Sequence, residues 1–192
     1  NNHLYSQCST PSTPACFTYS PSCATSGTII ITHTSTPAWV VHWQITDLSS
    51  GITTVETSTS PGILTHPFNP GSYEISPGFD HPFLGFFEDC LDTLYVSTTS
   101  SPSISCSDVN ACEESNINLE DNVTILTSYP SNFPDPCYNF TTTASTINNP
   151  TNYVVPLSST NIVVTIEDAS GCISNPCTID VTPSPSVLSM QG

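Results

Sequence analysis

The sequence predicts an all-β protein: two β-sandwiches in tandem, held by disulfides. Three observations predict it. Apolar residues gather in short β-branched runs every eight to twelve residues, parted by Pro, Gly, Asn and Ser, and no 3.6-residue period persists over a helix's length. The ends of these runs repeat along the chain at an offset of 85 residues. Nine Cys in 192 residues indicate an oxidising compartment, because so many thiols in a reducing one would need a metal to justify them.

The clearest strand is 38–46, Ala-Trp-Val-Val-His-Trp-Gln-Ile-Thr. Alternation puts Trp39, Val41, Trp43 and Ile45 on one face and Val40, His42 and Gln44 on the other, so the two Trp are expected to fill a core. Further strands are predicted at 28–32, 52–57, 72–76, 94–98, 122–126, 152–155, 162–167 and 178–182. Residues 93–98 (TLYVST) read like 178–183 (TIDVTP), and each is preceded by an apolar residue and Glu-Asp: Phe87-Glu88-Asp89 and Ile166-Glu167-Asp168. Each unit also opens with two close Cys, Cys16 and Cys23, then Cys106 and Cys112. The expected organisation is an extension at 1–13, sandwiches at 14–98 and 99–186, and a tail at 187–192. Units of about 85 residues suit seven-stranded sandwiches.

Composition excludes several functions. There is no Lys or Arg against 16 carboxylates and five His, giving a net charge of −16. Nucleic-acid binding, P-loop and Schiff-base chemistry, arginine clamps and polybasic membrane docking all need the missing side chains. No apolar run of 18 residues is present, so no membrane insertion by helix is expected. Ser and Thr make up roughly 30% of the chain and charged residues 8%, so the surface stays soluble if hydroxyls and attached sugars hydrate it. Trypsin-like proteases find nothing to cut. The absence of a basic and apolar leader, and the Pro-Ser-Pro-Ser run at 183–186, read as a mature or excised segment.

In the second unit, 161–172 (NIVVTIEDASGC) followed by the strand at 178–181 resembles the closing strands of tandem immunoglobulin-like repeats of bacterial surface proteins. Those are the SprB-type and PKD-like repeats of large adhesins, where a VTVTDANGC element precedes the last strand. Residues 70–75 (PGSYEI) are similar to the GTYTV strand of the same repeats. The resemblance implies two immunoglobulin-like sandwiches on a cell surface and no particular activity. The first unit departs from it with an inserted stretch at 81–87 and a turn shortened to Asp89-Cys90.

The same resemblance implies one bridge from an early strand to a late one in each unit. Cys23–Cys90 and Cys112–Cys177, 67 and 65 apart in sequence, are the expected pairs, with Cys172 as the alternative partner of Cys112. Cys106–Cys137 and Cys8–Cys16 would use the remainder, although spacing leaves connectivity open. Nine is odd, so one thiol is left free or bridges two subunits. A loop of this length stabilises by about 4 kcal/mol in the chain-entropy model.

Other candidate sites have a plainer reading. The pairs Glu88/Asp89, Glu167/Asp168, Glu113/Glu114 and Glu120/Asp121 are neighbours in sequence, and neighbours on a strand face opposite ways, so they make no glycosidase dyad. They read as solvated loop charge. Ca²⁺ at these loops is the lesser alternative, since no DxDxDG loop accompanies them. His42, His66 and His81 read as turn and packing residues rather than a zinc site, and no GxSxG or SxxK frames a nucleophile. Asn122 and Asn139 head N-glycosylation sequons, and Ser/Thr/Pro clusters at 9–14, 34–37, 141–146 and 158–160 suit O-glycans. The expectation is a secreted, non-enzymatic structural protein, a subunit or repeat of a glycosylated filament or adhesin stalk. It would need no cofactor and would partner with copies of itself, with 1–13 pairing on a neighbour's sheet edge. The alternative is a carbohydrate- or receptor-binding module using its aromatic loops, notably 83–87.

Overall fold

A computed structural model describes residues 16–21, 23–34, 42–58, 62–81, 85–88 and 90–185, with the backbone alone at 79–81 and 85–88. The extension at 1–13, Cys8, Trp39, Val41, Asp89, the loop at 82–84 and the tail at 187–192 lie outside the described residues. So do the side chains of His81, Phe86, Phe87 and Glu88.

Among the described residues, eight strands build the first sandwich: β1 (Phe17–Ser20), β2 (Gly27–His33), β3 (His42–Asp47), β4 (Thr53–Thr57), β5 (Ile63–Phe68), β6 (Gly71–His81), β7 (Gly85–Glu88) and β8 (Asp92–Val96). One sheet runs β1-β2-β5, and the other runs β4-β3-β6-β7 with β8 also on β6. Every strand pairing among its described residues is antiparallel, as Ile29↔His66 and Ile45↔Ile75 illustrate, and an isolated parallel bridge joins Thr25 and Ser97. Period-two alternation then turns Ile29, Ile31, Trp43, Ile45, Leu64 and Ile75 inward, and together with Phe17, Phe68, Leu94 and Val96 they form one core. Trp43 is fully buried, with the Phe17 and His33 rings edge-on at 6.4 and 6.2 Å.

The second sandwich combines short strands with two long closing ones: β9 (Ile104–Cys106), β10 (Val109–Cys112), β11 (Asn116–Ile117), β12 (Val123–Ile125), β13 (Cys137–Thr141), β14 (Tyr153–Val154), β15 (Thr160–Glu167) and β16 (Cys177–Ser184). A four-stranded sheet orders β10-β16-β15-β13, and β9–β12 and β11–β14 form two-stranded ladders. The β10–β16 pair is parallel. Its separate core gathers Leu119, Phe140, Val155, Ile162, Val164, Ile166, Ile179 and Val181. Two 3₁₀ turns, Leu119–Asn122 and Pro150–Asn152, are the helical elements among the described residues. The chain is therefore all-β, two tandem immunoglobulin-like sandwiches carrying disulfides.

The offset of 85 is structural where it aligns last strands. Leu94 and Ile179, and Val96 and Val181, are equivalent buried pairs, and β8 and β16 each lie antiparallel to the strand before the closing turn, β6 and β15. The Glu-Asp echo is not equivalent. Phe87-Glu88 belongs to β7, an added hairpin on the distal half of β6, whereas Ile166-Glu167 ends β15 itself.

The cysteine pairing corrects the expectation. Cys16 bonds to Cys90, Cys106 to Cys177 and Cys23 to Cys172, so Cys23–Cys90, Cys112–Cys177, Cys112–Cys172, Cys106–Cys137 and Cys8–Cys16 do not form. The physical reason is position along the sandwich. Cys90 and Cys177 stand just before or at the start of the last strands, where they meet Cys16 and Cys106 at the openings of their units, 74 and 71 residues away. Cys23 lies beyond β1 and reaches the other sandwich. Cys112, on edge strand β10, is a free exposed thiol rather than a bridge, and Cys137 is disulfide-bonded.

Candidate functional site at the junction of the sandwiches

The residues that join the two sandwiches form the most developed polar arrangement among those described. Its centre is the turn Asp168-Ala169-Ser170-Gly171-Cys172. Asp168 Oδ1 accepts hydrogen bonds from the N–H of Ser170 (3.0 Å), the N–H of Cys172 (3.0 Å) and the Ser170 hydroxyl (2.6 Å). A short side chain that caps its own turn explains the Asp. Gly171 has φ 80°, a left-handed conformation in which a Cβ is strained, and this explains the Gly.

So folded, the turn aims its backbone at the first sandwich. The Ser170 carbonyl accepts from the Ala24 N–H at 3.1 Å and from the Tyr19 hydroxyl at 3.4 Å, and Cys172 bonds to Cys23. Ala24 and Ser97 are fully buried and paired (Ser97 N–H to Ala24 carbonyl, 2.7 Å), so the contact bears on a rigid part of the first sandwich. A second contact comes from 129–133. Tyr129 stacks on Phe133 at 5.2 Å, Phe133 meets the edge of Tyr95 at 5.4 Å, and the Ser72 hydroxyl donates to the Asn132 carbonyl at 3.2 Å. The connecting segment is tied down by Ser101, whose hydroxyl donates to the Ile173 carbonyl at 3.3 Å.

The electrostatics at this boundary are of one sign. Burial pushes the Tyr19 hydroxyl up, and Asp168, Glu167 and Asp92 push it further. Burial and then Asp168 raise Tyr129 strongly. Asp168 Oδ2, Tyr129 Oη and the side-chain amide of Asn132 are buried without a hydrogen-bond partner.

Of the acidic pairs, Glu167 is exposed and Asp168 buried, the opposite orientation expected of strand neighbours. Glu120 is buried in a 3₁₀ turn with its N–H on Asn118 Oδ1 (3.1 Å). Among the described residues no three His, Cys, Asp or Glu side chains converge on one point. His42 Nδ1 is 3.1 Å from the Thr57 hydroxyl, and His66 Nδ1 is 3.6 Å from Glu56. Asn139 is exposed on edge strand β13, whereas Asn122 is half-buried and its amide donates to the Asn118 carbonyl at 3.2 Å. On the first sandwich, Asp47, Ile52, Thr54, His66, Asn69 and Tyr73 line a shallow cavity of about 210 Å³. Sequence reasoning missed Tyr19, Ala24, Tyr129, Asn132 and Phe133. The signal for the last three was present: two aromatics set among three Pro at 129–136, a stiff segment built to present rings.

No protein-family model and no curated protein matches the chain. Among solved structures, the chain is similar to the fibronectin(III)-like modules of Clostridium thermocellum CbhA, at 14% identity and TM-score 0.41, covering 92% of this chain and 98% of that one. It is similar to a two-domain fibronectin type III segment of chicken tenascin, at 14% identity and TM-score 0.34, covering 86% and 97%. A third likeness is to chicken CNTN1 domains FN1–FN3, at 13% identity and TM-score 0.32, covering 87% and 65%. Strand order and the two cores define the sandwiches independently of these likenesses. Among the described residues, no helix is long and apolar enough to cross a membrane.

Proposed function

We propose that the chain is a non-enzymatic, extracellular structural unit, a rigid two-module spacer within a glycosylated surface filament or adhesin stalk. The observation that supports it most is the Cys23–Cys172 bridge, which ties one sandwich to the other across 149 residues of sequence. A bond there serves orientation, because each sandwich already has its own core and its own disulfide. A spacer must hold direction under load, and a covalent cross-brace beside a hydrogen-bonded contact does so. Disulfides that persist imply an oxidising compartment. The exposed Cys112 thiol and residues 1–13 are the features offered for joining copies, the latter by pairing with a sheet edge of a neighbouring copy.

Electron microscopy of native material, with non-reducing electrophoresis beside it, tests the reading. Regular fibres, or ladders that vanish in Cys112→Ser or on deleting residues 1–13, support it. Discrete monomers that never assemble overturn it. A second reading has its own observation: the cavity bearing Asp47, His66, Asn69 and Tyr73 offers the mix of carboxylate, amide and ring that sugars bind. Glycan-array retention lost in Tyr73→Ala would favour that reading.

A further inference from the structure

We infer that Cys8 is the bonding partner of Cys137, so that the N-terminal extension of the first unit is fastened covalently to the second sandwich. Nine sulfurs are to be placed. Six are paired with one another, as Cys16–Cys90, Cys23–Cys172 and Cys106–Cys177. Cys112 is a free thiol, and Cys137 is disulfide-bonded. Cys8, in the extension outside the described residues, is the one cysteine left to bond it.

The position of Cys137 suits a partner that comes from outside the sandwich. In β13, Tyr138 and Phe140 turn into the core, so Cys137 shares the outward parity of Asn139 and Thr141. Cys137 stands opposite Glu167 in the β13–β15 ladder, and Glu167 leads into the turn at 168–172. The same turn meets β1, where the Ser170 carbonyl accepts from the Tyr19 hydroxyl at 3.4 Å. Tyr19 is three residues from Cys16, and Cys16 is eight residues from Cys8. Eight residues reach about 26–29 Å when extended. β1 and β13 therefore flank one turn, and the segment from Cys16 back to Cys8 has length to pass between them.

Forming the bond is ordinary thiol–disulfide exchange. The two thiols give up two protons and two electrons to a disulfide oxidant of an oxidising compartment, which leaves as two thiols. The product is a second covalent tie between the units, on a different strand from Cys23–Cys172. In the monomer it holds residues 1–13 to their own copy. The joining role given to those residues in the spacer reading then requires the same bond to close on Cys137 of a neighbouring copy instead. The inference itself rests on the sulfurs and not on that reading.

The test uses the full wild-type chain, secreted and unassembled, with free thiol blocked by iodoacetamide before digestion. Trypsin has no site in it. Pepsin at acid pH cuts it without reduction, where reshuffling by thiolate is slow. Mass spectrometry of the band of single-chain mass should recover one linked pair of peptides, holding Cys8 and Cys137, that separates on reduction. Labelling in denaturant should find one thiol per wild-type chain, Cys112, and two per Cys8→Ser chain, the second at Cys137. Cys137→Ser should expose Cys8 in return. If neither variant is secreted, peptide mapping of the wild type decides. Cys8 labelled as a thiol in wild type, or linked to any cysteine but Cys137, overturns the inference. So does finding the pair only in bands of two or more chains, which would put the bond between copies. Fibres can form or fail with the bond intact, so this inference and the spacer reading fail separately.

Discussion

Cys23 of the first sandwich is bonded to Cys172 of the second, beside a hydrogen bond from the Ala24 N–H to the Ser170 carbonyl. The two linkages act on adjacent residues of the first sandwich and on one turn of the second, so the relative orientation of the sandwiches is braced there rather than left to the connecting segment.

Breaking the brace should free the modules without unfolding them. Cys23→Ala with Cys172→Ala removes a long loop closure, worth on the order of 4 kcal/mol in the chain-entropy model, while both cores remain. The expected outcome is a broader distance distribution in small-angle scattering and two thermal transitions in place of one. An unchanged scattering profile would show that the packing of Phe133 on Tyr95 suffices alone.

A core substitution should then report on one module. Trp43 is fully buried between the sheets of the first sandwich, against Phe17 and His33. Trp43→Ala should cost about 3–5 kcal/mol through lost transfer energy and the cavity left behind. With the brace removed, the loss should appear in one thermal transition, and amide exchange across β15 and β16 should stay slow. Equal acceleration in both modules would contradict two independent cores.

Much of this was legible in the sequence, for a physical reason. Long alternating runs such as 162–167 bury Ile162, Val164 and Ile166 on one face, and periodicity finds them. Strands β1, β5, β7, β9, β10, β11 and β13 escaped because they are short or carry Pro and polar residues. In β5, His66 and Pro67 interrupt the pattern although Leu64 and Phe68 are buried. The cysteine error had another origin. An early-to-late bridge in each unit was the right idea, but choosing Cys23 and Cys112 in place of Cys16 and Cys106 shifted each bridge by one cysteine. Nothing local distinguishes a cysteine facing its own core from one facing a neighbouring module. Asp168 was visible as half of an acidic pair and within the 161–172 element, but its burial was not, because burial at a junction depends on a surface from the other unit.

Acidification should stabilise the protein. Burial, and then Asp121, hold the Glu120 carboxyl above the ordinary carboxylate range. Its folded state thus binds a proton more tightly than the unfolded chain, so its contribution to stability is full below the unfolded pKa and is lost as pH rises through the folded one. Asp47, held low by Ser49, acts oppositely, its contribution being lost as pH falls through its folded pKa. The global term sides with Glu120, because a net charge of −16 without Lys or Arg repels itself in the compact state. Tm should rise as pH falls from 7 toward about 5, approaching the ordinary carboxylate range. Glu120→Gln should flatten part of that slope, and added NaCl should flatten the global part by screening. A Tm that falls steadily over this interval would contradict the assignment.

The two sequons should separate in use. Asn139 is exposed on β13, so an attached sugar points into solvent. Asn122 closes a 3₁₀ turn, and its amide donates to the Asn118 carbonyl at 3.2 Å while its oxygen lies 3.4 Å from the Ser107 hydroxyl. Attaching a glycan there requires that nitrogen to leave its acceptor and the segment between β11 and β12 to open. Expressed in a host that glycosylates at Asn-x-Ser/Thr, the protein should carry a glycan at Asn139 and little at Asn122. Intact mass before and after enzymatic deglycosylation checks this: Asn139→Gln should abolish most of the shift and Asn122→Gln almost none. A glycan at Asn122 in folded, secreted protein would mean that this turn is still open when the transferase meets it.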